Sequence, residues 1–137
     1  MKINLTLKDV KVEIIQHAED VSPECMFGHP DKIKDPIERE YARQDIDWIY
    51  TQLERYGNWW AWCVVEVRVT WCGLSESAIL GACSFKNEQA FIDDGYYDDM
   101  CDEALDRLNK HLNDLYDVLY TRVLSESTKE EDHERPA

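Results

Sequence analysis

The stretch Trp59-Trp-Ala-Trp-Cys-Val-Val-Glu-Val-Arg-Val-Thr-Trp-Cys72 decides the fold. In its second half Val65, Val67, Val69 and Trp71 alternate with Glu66, Arg68 and Thr70, the period-two pattern of a strand buried on one face. Its first half puts Trp60, Trp62 and Val64 on the side that later turns polar. That end must be covered on both sides or expose aromatic surface. Gly73 to Ser77 reads as a turn. Ala78-Ile-Leu-Gly-Ala-Cys-Ser-Phe85 then returns as an antiparallel partner, in which Ala78, Gly81 and Ala82 leave room for large rings opposite.

Working outward, Ile3, Leu5 and Leu7 share one parity and Val10, Val12 and Ile14 the other. This predicts a strand with a phase change near Lys8 and Asp9, as a bulge or as two short strands. His17 to Lys34 contains Pro23, Gly28 and Pro30 without a period and reads as a long loop. Asp35-Pro36 with Glu38 is a helix start, with an N-cap, a proline at the first helical position and a carboxylate to close a capping box. Ala42, Ile46, Ile49, Leu53 and Tyr56 follow at helical spacing, with Trp48 and Tyr50 off that stripe, and Gly57 supplies the stop.

On the C-terminal side, a short helical turn over Glu88 to Ile92 leads through Asp93-Asp94-Gly95 into one long helix. Its stripe runs through Tyr97, Cys101, Ala104, Leu108, Leu112, Leu115 and Leu119, predicting a helix to about Leu124. Ser125 to Ala137 is polar and is expected to be a disordered acidic tail. The whole reads as one α+β domain over residues 1–124, in the order β-α-β-β-α. A small antiparallel sheet carries two helices packed on one face, with the strand order left open.

Composition narrows the function. The chain has 137 residues, 44% of them hydrophobic, with five Trp, seven Tyr and three Phe, too apolar and aromatic for a disordered acidic chain. Its net charge of −14, from 29 acids against 15 Lys and Arg, argues against direct nucleic-acid binding, which needs clustered bases. It argues equally against an anionic membrane surface. Met1 to Leu7 lacks the basic and apolar regions of a signal peptide, and no run of about 18 apolar residues is present, so a cytosolic protein without a membrane span is expected. Cys25, Cys63, Cys72, Cys83 and Cys101 are odd in number and irregularly spaced, which favours reduced thiols over a disulfide framework.

The charge is concentrated. The tail holds five acids and two bases, leaving 24 acids and 13 bases, a net of −11, in residues 1–124. From Asn87 to Asp106 there are eight acids and no Lys or Arg: Glu88, Asp93, Asp94, Asp98, Asp99, Asp102, Glu103 and Asp106. Asp98, Asp102 and Asp106 stack four apart on one helix face, with Asp99 and Glu103 on the adjacent row. Carboxylates at a helix start satisfy the macrodipole, and net charge keeps a small protein soluble. Like charges at i and i+4 nevertheless cost a few tenths of a kcal/mol per pair. A second reading gives the field a use: spaced carboxylates imitate the phosphates of a duplex, about 3.4 Å apart per strand, and occupy a basic groove. Cation binding is a third.

Other constellations carry less. Asp98-Asp99 with Asp102-Glu103 matches no specific metal motif, though two metals for hydrolysis are conceivable there. Cys25 and His29 are four apart in the loop and can supply two zinc ligands, a site that His17, Cys72 or Cys83 would have to complete through the fold. No phosphate loop, nucleophile elbow or zinc-protease helix motif occurs, and a Cys25–His29 pair lacks an orienting third group. No cofactor is expected. Among the aromatics, Trp60, Trp62 and Tyr96 are the candidates for a partner-facing anchor.

At Trp60-Ala-Trp62-Cys-Val-Val-Glu-Val, Leu80-Gly-Ala-Cys-Ser-Phe85 and Gly95-Tyr-Tyr-Asp-Asp-Met100, the chain resembles small accessory proteins of tailed bacteriophages. The likeness spans roughly Gly57 to Leu112 and carries no catalytic residue. It implies a protein that acts in the bacterial host cytosol, of the kind that includes anti-restriction and anti-CRISPR inhibitors, several of which resemble DNA in charge. The Trp-rich strand departs from such mimics and keeps ordinary protein docking open. The expectation is therefore a non-enzymatic inhibitor that binds a host nucleic-acid-handling defence protein. The alternatives are a homodimeric phage assembly module and a metal-dependent hydrolase that uses the Asp cluster.

Overall fold

The computed structural model describes residues 2–134. The α+β class holds: β1 (Lys11–His17), β2 (Cys63–Trp71) and β3 (Leu74–Cys83) form one antiparallel sheet in the order β1-β2-β3. The helices are α1 (Pro23–Phe27), α2 (Pro36–Tyr56), α3 (Glu88–Asp93) and α4 (Tyr96–Glu134).

The valines of β2 set the core. Val65, Val67 and Val69 are fully buried, together with Ala78 of β3, Phe91 of α3 and Ala104 and Leu108 of α4. Thus α4 and α3 share one face of the sheet. The longer α2, expected beside α4, packs mainly against α1 and the flanking 3-10 turns, burying Ile46 and Ile49. Its ends follow the capping chemistry: the Asp35 carboxylate accepts from Ile37 N, and Gly57 is left-handed at φ 61°. Tyr50, off the stripe, donates its hydroxyl to Glu24 at 2.8 Å.

Five local readings change. The parity switch near Lys8 is a 3-10 turn at Leu7–Asp9, closed by a reciprocal Thr6–Asp9 capping box. Ile3 and Leu5 therefore reach the same core as Val12 and Ile14. The N-terminal arm is not a strand but is clasped by α4. Asn113 accepts from Ile3 N at 2.6 Å and donates to Ile3 O at 2.8 Å, and Asn109 does the same for Leu5 at 2.8 and 3.1 Å. The expected long loop contains α1 and a 3-10 turn at Pro30–Lys32, with His17 ending β1.

The hairpin turn is only Cys72-Gly73, both at positive φ (48° and 79°), the twist that suits adjacent antiparallel strands. Ser75 to Ser77 thus belong to β3. At the other end, Trp59–Ala61 is a 3-10 turn whose first free N–H, that of Trp60, is accepted by the Asn58 side chain. The strand begins only at Cys63, and the pairing shifts register between Cys63 and Val65. Opposite this irregularity Ala82 is left-handed at φ 53°, and its N–H donates to the Glu19 carboxylate at 2.6 Å. Finally, α4 passes the expected end near Leu124 and runs to Glu134. Ser125-Glu-Ser-Thr-Lys-Glu-Glu contains no glycine or proline to stop it. The expected tail shares that helix through Glu134, and residues 135–137 lie outside the described residues.

The five cysteines are unbridged, with Cys63, Cys83 and Cys101 buried and Cys25 and Cys72 exposed. Burial pushes the Cys63 thiol up to about 12 and the Cys83 thiol up to about 11, so both behave as small core groups. Among the described residues, no helix is long and apolar enough to cross a membrane.

Candidate functional site

The acidic block falls on α3, the Asp94-Gly95 link and the first three turns of α4. Asn87 starts α3 by accepting from Ala90 N at 2.9 Å, and Gly95 at φ 92° redirects the chain into α4. Phe91, Met100, Cys101, Ala104 and Leu108 turn inward, so helical geometry sends Asp98, Asp99, Asp102, Glu103 and Asp106 outward. Glu88, Asp93 and Asp94 are exposed as well.

Among the described residues, Glu103 alone of the eight acids forms an ion pair, with Arg107 at 2.6 Å. Arg107 also donates to Ser77 O at 2.6 Å, which ties α4 to β3 at the end of the block. Asp93 accepts from the neutral Gln89 side chain at 2.8 Å. Lys8 and Asp102 line one shallow concavity, and Lys2, Asp106 and Lys110 another, with no ion pair between these groups. Seven carboxylates are thus exposed and without an ion-pair partner among the described residues. Carboxylates outnumber cations here, with Lys2, Lys8, Arg107 and Lys110 at the border, so the local field is predominantly negative.

The aromatic candidates divide. Tyr96 is exposed beside Asp98 and Asp99 at the start of α4. Trp62 is 5% exposed and its indole N–H donates to Val21 O at 2.8 Å, so it is a core residue and not a partner anchor. Trp60 is half-buried and stacks on Phe91, with ring centroids 5.6 Å apart. The reason is the 3-10 turn, which rotates both rings inward and leaves Trp59 outside, 62% exposed. Trp59 borders a concavity with Gln16, His17, Ala18 and Cys63. The buried Gln16 Nε2 is without a hydrogen-bond partner among the described residues.

One polar group was not anticipated. Glu66, read only as the polar half of an alternation, is the buried charge of the described molecule. Its Oε2 accepts from Ser77 Oγ at 2.5 Å and from Arg68 Nε at 3.0 Å, and its Oε1 lies 2.7 Å from His17 Nε2. The Ser77 hydroxyl, then His17 and Arg68, hold its carboxyl down to about 2 against the opposing pull of burial. His17 belongs to β1, Arg68 to β2 and Ser77 to β3, so one carboxylate ties all three strands. The only sequence signal was a glutamate between valines, which does not foretell convergence.

Among the described residues no three of the His, Cys, Asp and Glu side chains converge as metal ligands. Neither the Asp cluster nor the Cys25–His29 pair is gathered for coordination: Cys83 is buried at the end of β3 and Cys72 sits in the hairpin turn. Compared with protein-family models, curated proteins and solved structures, the chain finds no match.

Proposed function

We propose that this chain is a non-catalytic binding protein whose acidic α3–α4 face captures the basic, nucleic-acid-binding surface of a host protein of the restriction or CRISPR type. The observation that carries the reading is the set of exposed carboxylates from Glu88 to Asp106, of which Glu103 alone forms an ion pair among the described residues. Steering by such a field makes capture fast and salt-sensitive, and Tyr96 at its edge offers short-range fit. The resemblance read in the three quoted stretches favours the bacterial cytosol as the place of action.

The test is capture from a bacterial lysate on the immobilised chain, followed by elution with salt or with duplex DNA. A nucleic-acid-binding protein that DNA displaces is expected, and the variant D98K/D99K/D102K/D106K should lose it while melting nearly as the parent does. Equal capture by that variant overturns the proposal.

A further inference from the structure

Cys63 and Cys83 are Cα partners across β2 and β3, at the bulge where the register shifts. Directly opposite residues of antiparallel strands hold their Cα atoms about 4.5–5.5 Å apart, inside the range of about 4.4–6.8 Å that a disulfide spans. The side chains of such a pair leave the sheet on the same face. Both belong to one buried core cluster, at 1% and 4% exposure. The thiols also sense each other: burial pushes Cys63 up, and Cys83 and then Glu19 add to the rise. Cys83 is held at the bulge, where its thiol donates to Leu80 O at 3.2 Å. The third buried thiol, Cys101, sits apart on α4, hydrogen-bonded to the Tyr97 side chain.

The two sulfurs differ in access. Cys63 begins β2 and lines a concavity of about 280 Å³ that Trp59, Gln16, His17 and Ala18 complete and that Cys83 does not line. A space of that size admits a small neutral oxidant, while the net charge of −14 turns anionic ones away.

We propose that Cys63 and Cys83 form an oxidative modification site: a peroxide entering beside Trp59 oxidises Cys63, and Cys83 then closes a cross-strand disulfide. The Cys63 thiolate attacks one oxygen of hydrogen peroxide, the O–O bond breaks as the S–O bond forms, and the departing hydroxide takes a proton to leave as water. The Cys83 thiolate attacks the resulting sulfenic acid. The S–O bond breaks, the S–S bond forms and a second water leaves. The thiols are oxidised, the peroxide is reduced, and the thiol protons end in the waters.

The thiolate is the nucleophile, and burial holds Cys63 up at about 12 and Cys83 at about 11. With Glu19 and His17 the charged or titratable neighbours at this end of the sheet, closure is slow at neutral pH and gains about tenfold per pH unit. The pair therefore answers sustained exposure and not a brief pulse. Once closed, the bond pins the bulge and the end of β3 from which the chain leads into α3.

This site is independent of the acidic capture face, and its test does not involve a partner. C25S/C72S removes the exposed thiols and leaves the buried ones in place. Treated with hydrogen peroxide in native buffer, that variant should lose two hydrogens in mass, yield a cross-linked Cys63–Cys83 peptide on proteolysis and keep Cys101 as a free thiol. The rate should climb about tenfold per unit from neutral to mildly alkaline pH. The product should melt on the order of 5–10 °C higher, and dithiothreitol should reverse both changes. The same treatment in denaturant should spread the pairing over all three thiols. Cys63 and Cys83 that stay reduced, that end as sulfinic acids, or that pair with Cys101 as readily as with each other overturn the proposal. A closed bond that leaves melting unmoved overturns its role in pinning the bulge.

Discussion

From Tyr96 to Leu112, α4 turns its apolar stripe to the sheet and its carboxylates to solvent, whereas beyond Leu112 it turns Leu115, Leu119 and Val123 to solvent. One helix thus carries two surfaces of different physics. In the first half, burial of Cys101, Ala104 and Leu108 holds the helix in place and leaves the outer rows free to carry a repulsive charge pattern. In the second half the outer apolar residues contribute little until something covers them. The same sequence period means core in one place and exposed apolar surface in the other, and the extent of the sheet decides which.

The largest effect that would break this comparison concerns leucines at matched spacing. L108A removes a fully buried side chain and should cost about 2–5 kcal/mol in chemical denaturation, while L119A in dilute solution should stay within about 0.5 kcal/mol of the parent. Similar losses at both positions would mean that the second half is already packed in the monomer.

Next in size is the sheet beneath the first half. E66Q leaves Arg68 and His17 without their carboxylate and should cost about 1–3 kcal/mol at neutral pH. The parent should also lose stability as pH falls from the ordinary carboxyl value of 4.5 towards about 2. In that window the unfolded chain binds the proton that folded Glu66 refuses. Protonation of the exposed aspartates relieves repulsion over the same range, with opposite sign. The difference between parent and E66Q melting curves isolates the Glu66 contribution, and parallel curves would remove Glu66 from its stabilising role.

The smallest effect probes the charge pattern of the first half. D102N relieves repulsion with Asp98 and Asp106 on the same row, and should raise stability by a few tenths of a kcal/mol at low salt. The gain should fade at high salt. A loss instead would show that Asp102 has a favourable partner.

Much of this organisation was legible beforehand. Asp35 and Gly57 announced the ends of α2, since caps act within a few residues, and four-residue spacing placed Asp98, Asp102 and Asp106 on one outer row. The misreadings arose where local rules compete. The tryptophans at 59–62 looked like strand because aromatics favour sheets, but Asn58 caps a 3-10 turn there. Ser75-Glu-Ser77 looked like a turn by polarity, yet the backbone reverses at Cys72-Gly73, where a left-handed cysteine leaves no compositional mark. The burial of Trp62 depends on the carbonyl of Val21, and the role of Glu66 on His17 and Ser77. Those partners are brought together only by strand order and register, which periodicity does not contain.

The clasp formed by Asn109 and Asn113 grips the N-terminal arm through peptide groups alone, one arm residue for each amide. It is indifferent to which side chains stand at Lys2 and Asn4, because they take no part in the grip. An imino acid at position 3 or 5 is another matter: proline carries no N–H, so either substitution would strip one amide oxygen of its donor and loosen the arm while leaving every side chain of the helix intact.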